Sequence, residues 1–444
     1  MVTLDRGMGL LQATATNIIG MIGVGPFLTI PFMVAAMGGP HIIYAWAFGA
    51  VLALCDGLVY AELGSALPGS GGPYVYLREA YAPFGLGPLM AFVFNFQVML
   101  IAPLTIAGGA VGFADYLGFY WPTMSAAQHN LVAAAVCIGV TALLYRDITS
   151  IGRLAVVMLA VAIGTIGWVI VAGLFAFSWQ RAFDFPPAAT RFDAGLLRAM
   201  GAGGLLAMYN YGGYNNVCNI GEEIRSPEKT IPRAIVLSIA IVVTLYVVMS
   251  TAILGLIPWQ EARETRTIAS LFIARTIADP AAGRAAAIVM TALILFITVS
   301  SLYALVLGYS RIPFAAARSG QFFAAFARVH PTKHFPHVSL LTLGAVTVPF
   351  CFFSLGQLVN WLIQVQILLQ FVWQCAAVML LRRYRPDIAK PFRMWLYPLP
   401  ALVSLAMWLY IFFAAPIAGM IFSGAFLAVA IGGYCVFARG SVST

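Results

Sequence analysis

Apolar residues fall in long runs along this chain, and polar residues gather in the gaps between them. A helix crossing hydrocarbon needs roughly 20 apolar residues at about 1.5 Å rise each. That rule predicts twelve spanning segments, at 9–37, 41–66, 86–111, 127–145, 151–177, 194–222, 233–257, 282–310, 338–354, 357–381, 395–413 and 416–437. Proline and glycine punctuate the gaps at Pro68–Pro73, Trp179–Phe192 and Pro258–Pro280. The pattern predicts neither a low-complexity tail nor a separate soluble domain. The first segment reads as a retained helix and not as a cleaved leader.

Two segments interrupt their own pattern. Within Asn17–Pro31, three glycines and Pro26 crowd the middle of the first apolar run. Glycine loosens a helix, and proline removes a donor and collides with the preceding turn. Lipid offers freed peptide groups no partner, so these residues predict two half-helices whose junction is buried in protein or lines a wet cavity. The junction is expected to form half of a binding site. The sixth segment carries a second glycine-centred interruption, Tyr209–Asn216. The two breaks lie five segments apart, and an odd offset makes the second set enter from the opposite side. Two inverted halves follow, 9–177 and 194–381, with two peripheral helices over 395–437 and no division into separate domains. Matching breaks in inverted halves point to a transport site near the midplane.

Composition fixes the class. The chain is 62% hydrophobic and 9% charged, against about 25% charged for soluble domains, which predicts an all-α polytopic membrane protein. The formal charge of +9 is spread over short loops, which excludes a nucleic-acid-binding reading. Most of the 24 lysines and arginines fall on one side if the N-terminus is cytoplasmic, placing both termini there. The six cysteines stand singly and read as packing residues, not as a disulfide or metal site. His129, His330, His334 and His337 share no ligand spacing, so no metal is predicted. No nucleophile triad order or phosphate loop supports an enzyme, and no cofactor is implied.

Several stretches resemble the amino acid–polyamine–organocation (APC) superfamily of transporters. They are Gly23-Val24-Gly25-Pro26-Phe27, Tyr60–Leu63 followed by Pro68–Tyr76, Gly221–Arg233, Ser310-Arg311 through Gly320, and Pro391-Phe392-Arg393. The resemblance runs in order from about residue 10 to about residue 430. It implies the leucine-transporter (LeuT) fold, with helices 1 and 6 broken within a 5+5 inverted repeat. By position, backbone amides of Gly23, Val24 and Gly25 would meet a substrate carboxylate. Carbonyls near Met21, Ile22 and Tyr209 would take the ammonium. Half-helix N-termini favour anions and C-termini favour cations, which agrees independently. Pro26 stands where the family more commonly has isoleucine and offers no amide, so the glycines are the expected donors.

The remaining polar residues each have a plainer reading. Around the second break, the rings of Tyr209, Tyr211 and Tyr214 would wall the substrate, with Asn210, Gly212 and Gly213 lining it. Asn215 and Asn216 equally suit satisfying freed backbone groups. Asp56 is expensive inside a membrane, and reads either as a proton carrier or as a hydrogen-bonded structural residue. Glu62 is expected to anchor a loop. Glu222 and Glu223 could gate through Arg78 or Arg146, but an interfacial acidic pair beside Arg225 and Lys229 is simpler. Gln366, Gln370 and Gln374 share a helix face, which interhelical hydrogen bonding explains.

The coupling ion stays open at this stage. Ala162 stands where some proton-coupled relatives carry lysine, and Asn215 where some antiporters carry an acid. Thr298, Ser300 and Ser301, with carbonyls near Ile19 and Ile22, would cage Na+ in sodium-coupled members of this fold. Such hydroxyls also bond their own preceding turn. Sodium coupling, proton coupling and uncoupled exchange all remain. The expectation is an inner-membrane permease for an amino acid, with a neutral side chain because no fixed charge lies at the breaks. Helices 1, 2, 6 and 7 would rock against the rest by alternating access. A polyamine or other organic cation is the alternative substrate; a passive channel and a nontransporting sensor are the readings from other classes.

Overall fold

The computed structural model describes residues 7–23, 25–69, 71–145, 151–318, 320, 322–331 and 335–442. Among these the chain is helical, with one isolated β-bridge and no strand. The main helices are α1 (Leu10–Met21), α2 (Gly25–Met37), α3 (Ile42–Ala66), α4 (Pro73–Tyr81), α5 (Gly87–Leu117), α6 (Ala126–Leu144), α7 (Ile151–Ala176) and α8 (Ala194–Tyr211). They continue as α9 (Pro227–Leu256), α10 (Ile268–Thr276), α11 (Pro280–Arg318), α12 (His337–Phe350), α13 (Leu355–Gln366), α14 (Val372–Tyr384), α15 (Leu399–Ala414) and α16 (Ile417–Val442). A π-helical turn over Ile367–Phe371 joins α13 to α14. Among the described residues, eight helical stretches are long and apolar enough to cross a membrane, and the pair α1–α2 makes a ninth. The chain is an integral membrane protein.

Local chemistry sets several boundaries. Ser125 and Ser354 open α6 and α13 through capping boxes with Gln128 and Gln357. Asp193 opens α8 by accepting from the Leu196 amide at 2.9 Å. Pro31 lies inside α2 and has no N–H to give the Phe27 carbonyl one turn back. The Tyr116 hydroxyl of α5 donates to that carbonyl at 3.2 Å instead.

The structure departs from the expected segments in three places. The segment expected at 282–310 belongs to a 39-residue helix, α11. The gap Pro258–Pro280 holds α10, whose Ile268, Ala269, Phe272 and Ile273 are buried; its few apolar residues fall below the length of a span. The sixth segment does not resume as an α-helix after its break. It passes into 3-10 turns at Asn216–Asn219 and Gly221–Glu223, where asparagine side chains and glycine favour turns over helix.

Two groups of helices stand out in the packing, with α7 against both. In one, α1 packs on α9, α2 on α8, and α3 on both α8 and α9. In the other, α5, α6, α11 and α12 pack on one another. Burial follows position: 78% of the most apolar window of α5 is buried, against 11% for α16. Most of the surface of α16 is left uncovered by the other helices.

Candidate functional site

The first break is short. The Ile22 amide makes the last bond of α1, to the Ile18 carbonyl at 2.7 Å, and Ile22 itself is extended. Helix resumes at Gly25 with an axis bent by 49°. Pro26 falls in the first turn of α2, where its missing N–H removes no helical bond. Val24 lies outside the described residues. The second break follows Tyr211: the Gly212 amide closes α8 on Met208 at 2.9 Å, and Gly213 has φ +111°.

The two breaks touch. A Cβ on Gly213 would lie 2.7 Å from the Gly20 carbonyl carbon and 3.0 Å from the Met21 nitrogen. Only glycine permits that backbone approach and that φ. One residue into α2, a Cβ on Gly25 would lie 2.8 Å from Asn210 Oδ1 and 3.5 Å from the Tyr209 ring. Tyr209 also reaches α5, its hydroxyl 3.5 Å from where a Gly108 Cβ would sit. Its ring thus spans from one packing group to the other. Gly23 faces α11, with Ser301 Oγ 3.2 Å from the place of its Cβ.

Three side chains hold this arrangement through five hydrogen bonds. Asn17 Oδ1 accepts from the Val217 amide at 2.8 Å, and its Nδ2 donates to Ser238 at 3.3 Å. The Tyr246 hydroxyl of α9 donates to the Met21 carbonyl at 2.7 Å. Asn210 Nδ2 donates to Thr29 Oγ1 at 2.8 Å and to the Leu206 carbonyl at 2.7 Å. Sequence reasoning missed Tyr246 and Thr29. A lone tyrosine hydroxyl within the apolar run of α9 was the available signal.

The expected site residues therefore separate. Gly25, Tyr209 and Asn210 meet; Met21 and Gly213 meet; Gly23 meets Ser301. Tyr211 is buried, stacks on Tyr246 and donates to the Trp46 carbonyl at 3.3 Å. Gly212 is exposed at the end of α8, while Ile22 is buried. Of the coupling-ion candidates, Thr298 donates to the Ile294 carbonyl at 2.7 Å, Ser300 is buried, and Ile19 is half-buried on α1.

The remaining polar groups have partners of their own, and for Asp56 one of them, Tyr214, lies in the second break. Asp56 is buried in α3, and its carboxylate accepts from Tyr214, from Ser404 at 3.0 Å and from Trp408 Nε1 at 3.1 Å. These donors come from other elements, so no helical spacing within α3 could announce them. The Glu62 carboxylate accepts from Nε and Nη2 of Arg382 at 2.6 Å each and from the Met394 amide at 2.8 Å. Gln370 joins Gln97 at 2.8 Å and Tyr60 at 2.7 Å, and Gln374 bonds the Pro73 carbonyl at 3.0 Å. Arg78 pairs with Glu79 at 2.9 Å; Arg146 lies outside the described residues. The Cys137 and Cys351 sulfurs lie 3.6 Å apart between α6 and α12, a proximity their sequence separation hides.

Comparison with known proteins bears on what this geometry is for. The profile of the family described as "Amino acid permease" matches residues 8–437. A methylthioribose transporter of Bacillus subtilis is 26% identical over 432 residues, covering 93% of this chain and 89% of that protein. A branched-chain amino acid permease of the same organism is 27% identical, with 88% and 84% covered. The human cystine/glutamate transporter is 27% identical, with 91% and 79% covered.

Proposed function

Because the chain belongs to the amino acid permease family, within the APC superfamily, we propose that it carries a neutral amino acid across the membrane by alternating access. It is a transporter rather than an enzyme. The substrate sits between the two breaks, in a twelve-helix LeuT-type fold of two inverted halves in the inner membrane, both termini cytoplasmic. The observation that carries this reading is the meeting of the breaks, Gly20 on Gly213 and Gly25 on Asn210. It places the N-terminal end of α2, which favours a carboxylate, against the end of α8. The two packing groups support the motion, since α1, α2, α3, α8 and α9 can rock as one body against α5, α6, α11 and α12.

A neutral side chain fits because the break residues carry no fixed charge. The organic-cation reading would require an acid there, and Asp56 is held instead by Tyr214, Ser404 and Trp408. Were Na+ the coupling ion, Ser301 beside Gly23 would hold it together with Thr298, Ser300 and the carbonyls near Ile19 and Ile22. Thermal-shift screening of the purified protein against amino acids, polyamines and methylthioribose tests the reading, followed by liposome uptake under imposed Na+ or proton gradients. Neutral amino acids are expected to raise the melting temperature and to enter saturably. Failure of every amino acid to do either overturns it.

A further inference from the structure

Resting on that reading, we propose that the Asn210 carboxamide oxygen accepts a hydrogen bond from the substrate's α-ammonium group. It would do so beside the helix end that takes the carboxylate. Asn210 is 2% exposed. Its orientation is fixed by chemistry: the Leu206 carbonyl can only accept, so the amide nitrogen must face it, and that nitrogen also meets Thr29. The oxygen is thereby turned the other way, where it has no partner among the described residues. It points to Gly25, whose Cβ would lie 2.8 Å from it.

Gly25 opens α2, a 13-residue helix whose first amides have no partner within the helix. An unpartnered buried acceptor beside unpartnered helix donors is the complement of a zwitterion, whose two charged groups sit on one carbon. The Met21 carbonyl, expected to share the ammonium, already accepts the Tyr246 hydroxyl. That carbonyl keeps a second lone pair, and Asn210 adds beside it an acceptor oxygen with no partner among the described residues. Gln97, Gln364 and Gln374 also leave an oxygen without a partner, but they sit in α5, α13 and α14. There Gln364 lies against Gly419 and Gln374 bonds Pro73.

The test is equilibrium binding to the full-length protein with a panel of neutral amino acids, glycine through phenylalanine, each paired with its des-amino acid. Asn210→Ala should weaken amino acids at least tenfold while leaving the weak des-amino binding within twofold. Asn210→Asp should keep amino acid binding and newly admit primary alkylamines that lack a carboxylate. Should Asn210→Ala fail to fold, Asn210→Asp decides alone. Unchanged amino acid affinity in folded Asn210→Ala overturns the proposal, as does an equal loss for both members of each pair, or exclusion of alkylamines by Asn210→Asp. Absence of all amino acid binding to the unsubstituted protein is a different result. It overturns the permease reading itself.

Discussion

Asp56 and Asn210 are both buried polar side chains, and the protein surrounds them in opposite ways. Asp56 receives donors on both carboxylate oxygens, from the turn after α8 and from α15. Asn210 has its nitrogen held twice and its oxygen left open toward Gly25. A buried acceptor without a partner costs about 1–3 kcal/mol, a penalty that a bound ligand can remove. The saturated group behaves as a rivet between helices, and the unsaturated one as a seat. Burial and polarity alone do not separate the two roles; whether each oxygen has a donor does.

Substitutions can break this contrast. The largest effect is expected from Asp56→Ala, which orphans the Tyr214, Ser404 and Trp408 donors at about 1–3 kcal/mol apiece. Apparent melting temperature in detergent should fall steeply or folded protein should be lost, whereas Asn210→Ala, which loses two hydrogen bonds but also removes an unpartnered oxygen, should fall far less. A stable, transporting Asp56→Ala would show that the rivet is not one. Next, Gly25→Val places side-chain atoms against Asn210 Oδ1. Uptake into liposomes should drop to background with melting little changed; retained uptake would remove the first break from the site. The smallest effect belongs to Tyr214→Phe, since Ser404 and Trp408 still hold Asp56. Tyr214 is the donor to Asp56 Oδ2, and a buried acceptor left without its donor costs about 1–3 kcal/mol, so a melting shift of a few degrees is expected, well short of the loss in Asp56→Ala. A collapse as deep as that of Asp56→Ala would mean that Tyr214 alone carries the cluster.

Glycine, proline and apolar run length made both breaks and most helix positions legible in the sequence, because these are local properties. The pairing of Gly20 with Gly213 was legible only as a relation between segments. Illegible were contacts whose two ends carry no shared pattern. Tyr246 reaches Met21, Thr29 holds Asn210, and Trp408 finds Asp56 across hundreds of residues. α10 hid for a different reason: it is too short and mixed to raise a spanning signal, yet packs its apolar face inward. The turns after Gly213 were overread as helix, because hydrophobicity continued where asparagine and glycine had already changed the backbone.

The bonds that complete the first break have a consequence for how the chain is made. Tyr246 lies 225 residues after Met21, Val217 lies 200 after Asn17, and Asn210 lies 181 after Thr29. At about 5–20 residues per second, roughly 10–45 s of synthesis separate Met21 from its hydroxyl donor. The opening helix therefore enters the bilayer with its exposed junction waiting on groups the ribosome has not yet produced. A nascent chain halted before α9 holds the glycines of the break without the Tyr246 hydroxyl that completes their clasp, and competence arrives late.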